Sequence, residues 1–213
     1  MEFNSFKKAL LKVQNTALPG EEVQLKMAPI ERLQELKNLA QSQNNASKAG
    51  VMALFYPNKQ QETNLILILR KTYKGVHSGQ VGFPGGRFEP QDGNLTVTAL
   101  RETEEEIGVP KSEIQVVKKL TEMYIPPSNF IVQPFMGFVE NYPQFKAQPS
   151  EVEALIEIPL THFLDDKVIV TKTLTTSYAI DIEVPAYHLN NHVVWGATAM
   201  ILSEVRHMLK GAL

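Results

Sequence analysis

The chain has 213 residues, a formal net charge of −2 and a composition that is 43% hydrophobic and 21% charged, which suits one globular domain with an added arm and a sizeable core. The pI near 6.2 leaves no basic excess for nucleic acid or an anionic membrane surface, and the absence of cysteine excludes disulfides, thiolate chemistry and cysteine zinc sites. No apolar run reaches the ~18–20 residues of a membrane helix, and neither end carries a recognisable targeting signal, so no membrane partner and a cytoplasmic setting are expected.

Phe3, Phe6, Leu10 and Val13 recur at helical spacing, so residues 3–14 are predicted to form an amphipathic helix that Pro19-Gly20 breaks. Met27 to Ala40 carries a second helical pattern, with Pro29 near its first turn. Residues 1–48 thus read as an N-terminal helical arm ahead of a core over residues 49–213. The arm is expected to pack on that core; a homodimer contact or a substrate wall is the sharper alternative. Ala49–Tyr56 and Asn64–Arg70 are strand-like, and the unbroken apolar run Leu65–Leu69 marks a strand buried on both faces. A polar, basic loop, Lys71–Gln80, leads into the short strand Val81-Gly82-Phe83. The turn Pro84-Gly85-Gly86 follows, and its glycines let backbone approach a phosphate or a metal closely.

Leu95–Ile107 is predicted as a helix, with Gly108 just past its end and Pro110 unable to continue it. At ~100° per residue, Glu102, Glu105 and Glu106 share one face, Arg101 sits at its edge, and Ala99, Leu100, Thr103 and Ile107 lie opposite. Like charges at these spacings repel by a few tenths of a kcal/mol per pair in a bare helix, so such a face either stays in water or meets cations. Clustered carboxylates suit hard ions, and Mg²⁺ is commonly shared between protein carboxylates and a substrate phosphate. Further on, Ile114–Tyr124 and Phe130–Glu140 read as strands around Pro126-Pro127-Ser128-Asn129. Ser150–Leu160 reads as a strand ending in a helical turn over residues 161–164. Val168–Leu174 and Tyr178–Val184 read as a hairpin, and residues 197–210 as an amphipathic closing helix, with Trp195 expected in the core just before it.

Gly86, Arg101, Glu102, Glu105, Glu106, Gly108 and Val109 resemble the box of the Nudix family. That pattern is Gly, five residues, Glu, seven residues, then Arg-Glu-U-x-Glu-Glu-x-Gly-U, with U bulky and apolar. Thr103 departs mildly at one U. The stretch from Gly86 to Arg101 is one residue too long, so strict counting puts Gly93 at the first Glu and leaves Asp92 as the nearest acid, its role open. Upstream, Arg70, His77, Gly79, Phe83, Pro84, Gly85 and Gly86 resemble the signature of the coenzyme A diphosphatases of that family, with departures at Ile68 and Lys71.

The resemblance implies an α/β fold, a Nudix-type α/β/α sandwich around a mixed β-sheet, over roughly residues 49–210. It implies metal-dependent hydrolysis of a small-molecule diphosphate, coenzyme A giving 3′,5′-ADP and 4′-phosphopantetheine. Glu102, Glu105 and Glu106 would hold Mg²⁺ or Mn²⁺. Glu105, or an acid outside the box, would take the proton; Glu151 and Glu153 are the candidates outside, with Glu122 behind them. Arg101 would orient a box carboxylate by a bidentate pair. His77, the glycines Gly85 and Gly86, and the cations Arg70, Lys71, Lys74 and Arg87 would meet the anionic substrate. Two alternatives stay open. One is another nucleoside diphosphate derivative, such as ADP-ribose, NADH or a nucleoside triphosphate. The other is a non-catalytic nucleotide-binding sensor, against which the intact carboxylate set argues.

Overall fold

The computed structural model describes residues 1–29, 45–72, 79–174 and 181–213. Its axis is strand β1 (Ser47–Pro57). On one edge β1 pairs antiparallel with β2 (Thr63–Arg70) and, over its first residues, with β4 (Gly85–Arg87); on the other it runs parallel to β7 (Phe130–Phe138). β3 (Val81–Gly82) and β8 (Val152–Pro159) join β2, while β5 (Gln115–Lys119) and β6 (Met123–Ile125) join β7. The result is a mixed sheet. A second, antiparallel sheet holds β9 (Ile169–Leu174), β10 (Ile182–Leu189) and β11 (His192–Trp195).

Helix α3 (Leu95–Ile107) covers one face of the large sheet; α1 (Phe3–Asn15), the single turn α2 (Glu21–Gln24) and α5 (Gly196–Ala212) lie on the other, with the short α4 (Leu160–Leu164) after β8. This is the α/β/α sandwich. The alternation of β2 produces both cores: Leu65 and Leu67 pack toward α1 and α5, Ile66 and Ile68 toward α3, all fully buried. Each such side chain stabilises the fold by about 1.5–3 kcal/mol relative to exposure. α1 shares the first core, with the Phe6 ring 4.9 Å from Phe55 and Phe3 edge-on to Phe138 at 6.2 Å.

α3 has the predicted bounds. The Asn94 side chain caps its start by accepting from Val97 N, and Gly108, in the left-handed conformation, closes its end by donating to Glu104 O. Three expectations change. Residues 114–124 are two strands rather than one, because Pro134 in β7 has no N–H for the ladder. The buried Gln133 side chain donates there to Leu120 O and Pro134 O instead, and the chain turns over residues 120–122. β10 runs further than predicted, to Leu189, since its register is set by both β9 and β11, while residues 178–180 of the expected strand lie outside the described residues. Trp195 is half-buried rather than core, at the end of β11. The helix expected over Met27–Ala40 lies mostly outside the described residues.

Candidate active site

The carboxylate face of α3 is organised by one guanidinium. Arg101 grips Asp92 with both arms, Nε to Oδ1 at 2.8 Å and Nη2 to Oδ2 at 3.0 Å. Its Nη1 donates to Glu102 Oε1 at 2.9 Å and to Glu105 Oε2 at 3.0 Å. Nη2 also reaches the Arg87 carbonyl at 3.1 Å. The bidentate partner is therefore Asp92, not a box carboxylate. Asp92 is buried and also accepts from Glu89 N and Thr98 Oγ1. Hydrogen bonds from Arg101 hold its carboxyl well below the usual range despite burial, and the same pairing raises Arg101. Asp92 thus anchors Arg101 at the place the sequence left open. The extra residue before the helix is taken up at Gly93, which turns at φ +70° after the 3₁₀ turn Pro90–Asp92.

The second junction joins α3 to the glycine turn. Glu106 is 1% exposed. Its Oε2 accepts from Gly85 N at 2.7 Å, and its Oε1 lies 3.2 Å from Arg70 Nη1. Arg70 Nη2 in turn donates to Gly85 O at 2.7 Å, so Arg70, Gly85 and Glu106 close a ring. Burial pushes the Glu106 carboxyl up to about 7, with Arg70 and the Gly85 N–H pulling against it. Burial also raises Glu102, against the pull of Arg101. Gly86 leaves space for Glu102: a Cβ there would sit on the Glu102 carboxylate.

Glu151 stands in the turn just before β8. Its charge acts on both Glu102 and Glu106, which places it beside the carboxylate helix. Glu153 is the bulged residue where β8 crosses the Leu69/Arg70 irregularity of β2, and Glu122 is exposed in the turn between β5 and β6. Glu105 is the most open box acid, its side chain 55% exposed. Arg70 and Arg87 border a cleft of about 260 Å³ over Gly85 and Gly86, whose apolar wall includes Ile125, Phe130 and Ile201. Among the described residues the Arg87 side chain donates to Ser47 Oγ at 3.2 Å. His77 and Lys74 fall outside the described residues. A larger hollow of about 560 Å³, between α1 and β5, holds none of these groups.

Among the described residues no three acids or histidines form a closed metal cage: Arg101 bridges Glu102 and Glu105, and Arg70 stands on Glu106. The donor set nevertheless fits a hard divalent ion. All its donors are carboxylate oxygens, Glu106 Oε1 is buried without a hydrogen-bond partner, and Gly86 clears the space before Glu102. Sequence reasoning missed the Arg70–Glu106 pair and the Thr98 contact to Asp92. Arg70 and Glu106 meet only through the glycine turn, so no local spacing announces them.

Sandwich, glycine turn and carboxylate helix together define a hydrolase of diphosphate linkages. Residues 46–168 match the family model described as NUDIX domain. The uncharacterized Nudix hydrolase NudL of Yersinia enterocolitica is 36% identical over 151 residues, 68% of this chain and 73% of that protein. Its namesake in Photorhabdus laumondii is 28% identical over 176 residues, 79% of this chain and 88% of that protein. Among solved structures, the Nudix hydrolase RenU of M. smegmatis superposes with TM-score 0.54 at 14% identity, covering 78% of this chain and 87% of that one. A MutT/nudix family protein from Enterococcus faecalis gives 0.51 at 18% identity, covering 89% and 73%. The chain belongs to the Nudix family, whose hydrolases act on nucleoside diphosphate derivatives and generally use divalent metals.

Proposed function

We propose that this Nudix hydrolase cleaves the diphosphate of coenzyme A or its thioesters, releasing 3′,5′-ADP and 4′-phosphopantetheine or its acyl form. The observation that carries the reading is the Arg70–Gly85–Glu106 ring, which joins the cation-bordered cleft to the carboxylate helix through one residue of backbone. The cleft offers what such a substrate needs: Arg70 and Arg87 for phosphate oxygens, and an apolar wall for the uncharged arm.

Glu102, Glu105 and Glu106 would hold Mg²⁺ or Mn²⁺. When bound, the ion neutralises phosphate charge and acidifies water at the site. Asp92 fixes Arg101, and Arg101 fixes the rotamers of Glu102 and Glu105. Glu105 accepts the proton of the attacking water, being open and, among the described residues, hydrogen-bonded through Oε2 alone; Glu151 is the alternative base. Water adds to phosphorus as the bridging P–O bond breaks, and the leaving phosphate departs through the cleft. The backbone at Gly85 and Gly86 completes the substrate contacts, and His77 is proposed beside it from its place in the sequence motif alone.

The test is product analysis with coenzyme A, ADP-ribose and NADH as parallel substrates, each with Mg²⁺ and with Mn²⁺, beside Glu105→Gln. Release of 3′,5′-ADP by the wild type, reduced at least 100-fold in the variant, is the expected result. Turnover of ADP-ribose or NADH without coenzyme A would reject the substrate and keep the chemistry.

A further inference from the structure

Arg70 is placed unusually for a substrate-binding cation. It ends β2 at the irregularity opposite β8, its backbone N–H donates to Gln80 O at 3.0 Å, and its side chain is 25% exposed. One arm of the guanidinium donates to Gly85 O. The other lies 3.2 Å from Glu106 Oε1, yet that oxygen has no hydrogen-bond partner among the described residues. The contact is therefore an attraction between charges without an aimed N–H, the weaker half of what an arginine can offer a carboxylate. An almost fully buried oxygen with an uncommitted lone pair is a costly arrangement unless another group takes that place. The same guanidinium borders the cleft over Gly85 and Gly86, so a modest swing carries it from Glu106 to a phosphate.

We infer that Arg70 is a displaceable counter-ion: it occupies the place of the divalent cation on Glu106 in the metal-free protein, and is handed over to the substrate diphosphate when that cation arrives. Metal binding and anion binding are then coupled through one side chain. The cation releases Arg70, and the released Arg70 raises the affinity for a diphosphate. Arg101 cannot play this part. It is fixed on Asp92 by two aimed hydrogen bonds and is 16% exposed, so it stays as framework. The inference rests on the reading that Glu106 is a metal ligand, not on coenzyme A being the substrate.

The test is a calorimetric Mn²⁺ titration of the full chain without substrate, for wild type, Arg70→Gln, Arg70→Lys and Glu106→Gln. Each variant's fold is checked by circular dichroism. Arg70→Gln is expected to bind Mn²⁺ on the order of tenfold more tightly than wild type, because the competing cation is gone. Arg70→Lys, shorter and without the fork, should fall between them. Unchanged or weaker Mn²⁺ binding by both Arg70 variants overturns the inference. If Glu106→Gln leaves Mn²⁺ affinity untouched, the metal-ligand reading fails instead. For the handover, α,β-methylene-ADP, a diphosphate analogue whose P–C–P bridge is not hydrolysed, is titrated with and without Mn²⁺. The ion should improve its binding by a larger factor in wild type than in Arg70→Gln, and equal factors overturn the coupling.

Discussion

Asp92 and Glu106, fourteen positions apart, are pushed in opposite directions by their surroundings. Asp92 has paired, aimed donors and stays ionised well below the usual range; Glu106 is buried with one good donor and one poorly aimed cation, and holds its proton up to about 7. The consequence for stability follows from linkage. Between the ordinary carboxylate value of 4.5 and about 7, folded Glu106 keeps a proton that the unfolded chain has shed, so the metal-free protein loses stability as pH rises through that window. At 1.36 kcal/mol per unit the loss is on the order of 3 kcal/mol. Asp92 works the other way and at lower pH, where protonation would break its grip on Arg101. A divalent ion that binds only the ionised form should offset the loss. Melting temperatures in chelator are thus expected to fall from pH 5 to pH 8, and the gain from Mn²⁺ to grow over the same range. Glu106→Gln should flatten both slopes; an unchanged slope in that variant would reject Glu106 as their source.

At the scale of elements, the site is a helix laid against a strand through a glycine. A Cβ on Gly50 of β1 would collide with the backbone of Leu95 and Ala99 at the start of α3. Because the obstacle is main chain, no rotamer change relieves it. Gly50→Ala is expected to destabilise the fold by about 1–3 kcal/mol and to lower activity further by shifting α3 from the glycine turn. Denaturant unfolding with and without Mn²⁺ measures both; a fully stable, fully active variant would show that the contact is slack. Much of this element-level order is legible in the sequence. The end of α3 follows from Gly108 and Pro110, and the two-sided burial of β2 from its apolar run. What the sequence hides is long-range pairing. Asp92 could not be assigned because its meaning depends on where the chain bends at Gly93. Arg70 reads as a free cation until the turn brings Glu106 to it. The break between β5 and β6 depends on Pro134 across the sheet.

At the scale of the molecule, the question is whether the N-terminal helix is an appendage or a wall of the core. Phe3, Phe6, Leu10 and Val13 are all almost fully buried and belong to the same cluster as Phe55 of β1 and Leu202 and Val205 of α5. Polar ties run the same way: Ser203 Oγ donates to Val23 O at 2.9 Å, and the fully buried Glu204 accepts from Gln24 Nε2 at 2.9 Å and from Thr121. The first ~28 residues therefore cover apolar surface that the sheet would otherwise expose, and a large cavity left there has no way to collapse cheaply. Phe6→Ala is expected to cost about 3–5 kcal/mol, a fall of roughly 10 °C in melting temperature for a chain of this size. Because α1 sits on the face of the sheet away from α3, Mn²⁺ affinity of the folded variant should match wild type. A melting temperature within 2–3 °C of wild type, the shift expected from about 1 kcal/mol, would mean that α1 is an arm the core can do without.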